Sequence, residues 1–222
     1  MFITTVDTLD ITDKTITADA LLTQRKLAQY IVGERMAHYV FIAKDNQPSI
    51  AQDIRLHFEN RGEPDYKEPY TLQHGRLESR SIWTSTKLNH YLDFPFVGQV
   101  FVIHRHTINK KTGEETNEIV YGLTSHPPYS ANAKQILKLN RDHWGIESHH
   151  YILDWNWNED RCVIRKGYGP ENITNLRSFA IGIIKSISRD SVASTIRKLN
   201  RNVRTVFDYL KMTKNSGKFN YG

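Results

Sequence analysis

The 222-residue sequence predicts an α/β fold with a β-rich insertion and a helical, basic end, and three observations carry this. Two short β-branched or apolar runs near the N-terminus flank a segment of helical length. Three longer strand-like runs crowd the middle of the chain. After Ser130 the apolar period changes to that of a helix.

Lys14–Ala20 (KTITADA) reads as a strand, since Thr15, Ile16 and Thr17 favour extended backbone. A polar helix follows over Leu22–Glu34, ended near Gly33. His38–Ala43 (HYVFIA) is the second strand. Two strands joined by such a helix form a βαβ unit with parallel pairing. Ligands of such sheets sit at the carboxyl ends of the strands, where Asp19 and Lys44 fall. Residues 50–70 begin helical and become a polar, Pro-containing connection. Arg76–Ser85, Gly98–Ile108 and Glu118–Thr124 are three further strands, the last two separated by the Gly-containing turn Lys110–Glu115. Ser130 is the expected N-cap of a helix over Ala131–Ile152. A helix after Pro170 carries Ile173, Leu176, Ala180, Ile183, Ile184 and Ile187 at core spacing, and one over Ser191–Met212 carries an apolar stripe from Val192 to Leu210. Residues after Lys214 read as a disordered tail.

Hydrophobic residues at 39% and charged ones at 24% suit a folded chain. The longest nearly apolar stretch, Ser178–Ile184, is too short to span a bilayer, and the first ten residues lack the pattern of a signal peptide. A lone cysteine, Cys162, excludes an internal disulfide and suits a reducing compartment, so a soluble cytoplasmic protein is expected. Charge is unevenly placed. Residues 1–160 hold 17 Lys+Arg against 21 Asp+Glu, whereas residues 161–222 hold 13 against 3 and carry a net +10. That asymmetry points to a polyanionic partner, with a solvated helical surface as the bland alternative.

Among residues able to do chemistry, Asp19 ends a strand, a position open to a metal ligand and equally to a turn-forming cap. In Arg141–Arg161, Glu147 lies four residues after His143 and three after Trp144, which places the three on one helical face. A carboxylate among apolar neighbours needs a partner or a metal, while an aromatic core helix with solvated acids is the competing reading. Asp154, Glu159 and Asp160 add carboxylates just beyond. The histidines, including His104, His106, His149 and His150, match no zinc spacing, and neither a cysteine nucleophile nor a Gly-rich phosphate loop is evident.

Five blocks together carry a resemblance: TITADALLTQRKLA (15–28), HYVFIAKDNQPSI (38–50), HGRLESR (74–80), RDHWGIESHHYILDWNWNEDR (141–161) and IRKGYGPENITNLRSFA (164–180). In this order they resemble the DDE transposases of bacterial insertion sequences, specifically the ISAs-one family that includes the H-repeat-associated proteins. The resemblance implies a ribonuclease-H-like domain over residues 1–160 with its β-rich insertion at about 71–128, then basic helices and a tail over 161–222. It implies DNA cleavage at transposon ends and strand transfer to target DNA in the cytoplasm, with no membrane partner. Three carboxylates would hold two Mg²⁺ or Mn²⁺ ions about 3.5–4 Å apart. By motif position Asp19 and Glu147 are two of these catalytic, metal-binding carboxylates. Lys44, His74, Arg76, His143 and Trp144 fall in matching motifs and are candidate DNA contacts, as are Arg197, Lys198 and Arg201 in the basic helices.

The family's first aspartate lies in an upstream D-G-K-x-x-R block, which this sequence does not contain. Eighteen residues precede Asp19, whereas three strands and a helix need about 35. The expectation is therefore a C-terminal portion of a transposase, lacking the first catalytic Asp, inactive alone, and holding at most one ion weakly. The strand bearing Asp19 should have a free edge that favours a homo-oligomer or pairing with a full-length transposase. The alternative function is a non-catalytic DNA-binding or dominant-negative remnant.

Overall fold

The computed structural model describes residues 9–73, 75–145, 151–157 and 161–213. The chain forms two compact units, Met1–His143 and Trp144–Gly222.

In the first unit β1 (Thr15–Ala18) runs parallel to β2 (His38–Ala43), Thr15 opposite His38, as the βαβ reading requires. The connection differs from one continuous helix. Asp19 caps a 3₁₀ turn over Ala20–Leu22, Gln24 is extended, and only then does α1 (Arg25–Ala28) begin. It widens into a π turn over Gln29–Glu34, which keeps both Tyr30 and Ile31 buried before the chain reverses at Met36. Then α2 (Pro48–His57) opens on proline, whose missing N–H is free of cost in a first turn.

The connection after α2 holds two short strands that its polar composition concealed, β3 (Tyr66–Lys67) and β4 (Thr71–Gln73). With β5 (Arg76–Ser85), β6 (Gln99–Asn109) and β7 (Glu115–Thr124) they complete a seven-stranded sheet. Its order is β1-β2-β7-β6-β5-β3, with β4 also on β5 and every pairing but β1–β2 antiparallel. Among the described residues β1 is therefore an edge strand.

Strand period two sends alternate residues to opposite faces. Tyr39, Phe41, Val100, Val102 and Leu123 pack with Leu27, Ile31, Ile50 and Ile54 from α1, its π turn and α2. Val40, Ile42, Ile82, Phe101 and Ile103 face the other way, against Ile136 and Leu137 of α3 (Ala133–His143). Each such side chain contributes about 1.5–3 kcal/mol when fully buried. β2 is buried on both faces, which explains its unbroken apolar run. The expected Ser130 cap is replaced: Asn132 and Gln135 exchange reciprocal side-chain to backbone hydrogen bonds at 3.0 and 2.9 Å, and Ser130 instead bonds His126. The helix expected to reach Ile152 is described as far as His143, and Ile152–Asn156 forms a π turn, with residues 146–150 between them outside the described residues.

In the second unit α4 (Gly169–Ile187), α5 (Val192–Arg201) and α6 (Val203–Tyr209) bury Leu153, Ile181, Ile184 and Val192. The expected core face of α4 holds at Ile184, which is buried, and at Ile173, Ala180, Ile183 and Ile187, which are partly buried; Ile181 joins it and Leu176 is exposed. The single helix expected from Ser191 breaks at Asn202, whose backbone (φ −142°, ψ 88°) is non-helical, and Val203 is exposed. Ser191 caps α5 through the Ser194 N–H. Among the described residues no helix is long and apolar enough to cross a membrane. The tail after Lys214 lies outside the described residues.

Candidate functional site

The carboxyl end of β1 presents Asp19 to solvent. Its carboxylate accepts one hydrogen bond, from the Ala20 N–H at 2.6 Å, so it fixes the turn and keeps free lone pairs. The turn is laced to the end of β2. Buried Thr23 donates its hydroxyl to the Ile42 carbonyl at 2.8 Å. The Asn46 amide donates to the carbonyls of Ala20 and Thr23, and the Gln47 amide donates to Thr23 at 3.1 Å. The blocks A-D-A-L-x-T-Q and K-x-N-Q-P are thus two halves of one hydrogen-bonded platform that fixes the backbone carrying Asp19. Asn46 and Gln47 act through that platform, whereas Lys44 beside them is exposed.

On the other flank of β1 the end of α3 closes in. His143 Nδ1 lies 3.1 Å from the Thr17 hydroxyl, two residues before Asp19. Glu147, which sequence pairs with Asp19, lies outside the described residues. Trp144 is about half exposed (49%). Among the described residues no group of three His, Cys, Asp or Glu side chains is arranged to hold a metal ion. Asp19 by itself fits the part of one ligand, having a solvent-facing carboxylate at a strand end.

The block H-G-R-L-E-S-R forms the β4–β5 hairpin. Gln73 pairs with Arg76, leaving a two-residue loop whose Gly75 takes φ +77°. His74 lies outside the described residues. Arg76 is exposed, and the Gly75 carbonyl accepts from the Lys110 N–H at 3.0 Å, which brings the β6–β7 turn alongside. The rest of the block turns inward. Arg80 pairs with Glu78 and lies 3.7 Å from Glu68, and Arg141 of α3 reaches Glu68 at 2.8 Å. Burial pulls Arg80 below the usual guanidinium range while Glu78 opposes the shift. This half-buried network ties the sheet to α3. Glu68 carries no local signal of this role, because it sits in a polar, Pro-containing connection.

At the opposite end of β1, Thr15 bonds His126 at 2.8 Å, and His126 stacks on His38 with ring centroids 3.9 Å apart. Burial, then the neighbouring His38, lowers the His126 pKa to about 4. In the second unit Arg197 and Arg201 are exposed, while Lys198 is held by Asp190 at 2.5 Å and so is not a free cation.

A family model described as a transposase DDE domain matches residues 1–180. The H repeat-associated protein YhhI of Escherichia coli K12, provisionally named a transposase, is 29% identical over 79% of this chain and 48% of its own length. YncI of E. coli O157:H7, likewise provisionally named a transposase, is 28% identical over 80% of the chain and 47% of its own. YbfL of E. coli K12 is 29% identical over 79% and 48%. The chain thus spans about half the length of these relatives.

Proposed function

This chain belongs to the transposase DDE domain family, of the H repeat-associated type, and from that premise we propose that it carries part of the DNA-cleaving and strand-transferring site of a bacterial insertion-sequence transposase. The observation that carries the reading is the exposed Asp19 carboxylate at the carboxyl end of β1, on a turn locked by Thr23, Asn46 and Gln47. Strand ends are where open α/β sheets place their ligands. Asp19 and Glu147 would hold a divalent ion, Mg²⁺ or Mn²⁺. Such an ion, when bound, stabilises charge on the phosphoryl oxygens of the DNA and activates the attacking hydroxyl.

The residues of the chain then divide the remaining work. His143, anchored on Thr17, is assigned to orienting DNA or the catalytic glutamate. Lys44, Arg76 and His74 contact phosphates of transposon ends or target DNA. The ribonuclease-H-like identity of the sheet, with β3–β7 drawn largely from an insertion, is part of the same proposal. So is the division into a catalytic segment over 1–160 and a basic segment over 161–222. With two family carboxylates in its sequence, this chain alone holds one ion weakly and does not join strands.

Calorimetric titration with Mn²⁺ tests the assignment. We expect one weak equivalent, lost in both Asp19→Asn and Glu147→Gln. Equal binding by wild type and both variants would remove these residues from any metal role. A second reading, a module that binds DNA without chemistry, is favoured by the net +10 of residues 161–222 and the exposed Arg197 and Arg201.

A further inference from the structure

The second unit exposes an aromatic pair that the carboxylate chemistry does not use. Tyr151 and Trp155, one helical turn apart at the π turn Ile152–Asn156, are 61% and 74% exposed. Their rings are nearly parallel (9°), with centroids 6.3 Å apart. Aromatic side chains normally bury 150 Å² or more, at roughly 25 cal/mol per Å², so leaving two in water forgoes substantial stabilisation. Two nearly parallel, largely exposed rings suit a flat partner.

The surroundings say which. The pair borders a cavity of about 540 Å³, within the range of small-ligand sites, whose wall includes Lys185, Asp190 and Arg197. Asp190 is held by Lys198 at 2.5 Å, so the acid in the wall is already neutralised. Lys185 and Arg197 are exposed and form no ion pair among the described residues. Two ring faces beside two available cations match the two faces of a nucleotide, an aromatic base and an anionic phosphate. A base inside a duplex has both faces covered by its neighbours, so only an unpaired or flipped base can stack here.

We propose that Tyr151 and Trp155 form a stacking platform for unpaired DNA bases, with Lys185 and Arg197 contacting the flanking phosphates. This rests on the reading that the chain acts on DNA, and it adds a substrate preference for unpaired strands at the DNA end. The test compares binding of a 16-nucleotide thymidine strand and a mixed-sequence duplex by fluorescence anisotropy. Trp155→Ala should weaken single-strand binding about tenfold or more, as expected for one lost stacking contact, while Trp155→Phe stays within about threefold of wild type. Duplex affinity should be the same in all three proteins. Arg197→Ala should weaken the single strand further and flatten its salt dependence. Unchanged single-strand binding by Trp155→Ala, with duplex binding intact, overturns the platform alone. Failure of the wild type to bind either DNA overturns the DNA-acting reading and the platform with it.

Discussion

At Thr23 a buried hydroxyl bonds the Ile42 carbonyl at 2.8 Å, while the Thr23 carbonyl accepts from Asn46 and Gln47. Replacing it by isosteric valine keeps the volume and removes the donor. Thr23→Val should cost about 1–2 kcal/mol in urea denaturation with an unchanged slope, because a buried acceptor is left unpaired. A loss near zero would show that this hydroxyl does not hold the turn. His126 makes a pH prediction. Its folded pKa of about 4 lies below the ordinary 6.5, because burial and then charge repulsion from the neighbouring His38 favour the neutral ring. Between these values the unfolded chain binds more protons, so stability is fully present above pH 6.5 and is lost as pH falls toward 4. Unfolding midpoints measured from pH 7 to pH 4.5 should fall, and His126→Gln should reduce that slope.

For the elements, packing overrides local preference at identifiable places. Gly122 of β7 lies opposite Phe101 of β6 and Ile42 of β2. A Cβ there would enter the Phe101 ring and stand 2.7 Å from the Phe41 carbonyl oxygen, so glycine is what lets the three strands close. Gly122→Ala should destabilise by about 1–3 kcal/mol through overpacking, read as a drop in thermal midpoint. A neutral result would mean that the Phe101 ring can swing aside. The same competition explains the split of the expected Ser191–Met212 helix. Its apolar stripe keeps helical spacing, yet non-helical Asn202 separates α5 from α6. In the middle sheet, β3 and β4 exist because β5 offers a long edge for them to pair with, although their own residues are too few and polar to signal strands.

Over the whole molecule, charge is the property that reports on partners. A basic segment with net +10 beside a body of net −4 should bind duplex DNA with affinity that falls steeply as salt rises. Each phosphate neutralised contributes a slope of about −0.9 on a log–log plot, and the double variant Arg197→Glu, Arg201→Glu should flatten it by about two contacts. Salt-independent binding, or an unchanged slope, would move the interface elsewhere. The placement of β1 at the sheet edge among the described residues also matters at this scale. Among the described residues no strand pairs with the outer side of the strand bearing Asp19, the side at which another strand could add by backbone pairing.

By itself the sequence determined the α/β class, β2 to its exact ends, the parallel β1–β2 pair and the long middle strands, because period and β-branching are local properties. It also singled out Asp19, and motif resemblance joined it to Glu147 and to a transposase family that the comparison over residues 1–180 bears out. Tertiary structure alone decided that Asn46 and Gln47 hold the turn behind Asp19, that Glu68 links Arg80 to Arg141, and that Tyr151 and Trp155 are left in solvent. The physical reason is common to all three. Each depends on which backbone groups are left unpaired and which faces are left uncovered once the elements have packed, and no local run of residues encodes that.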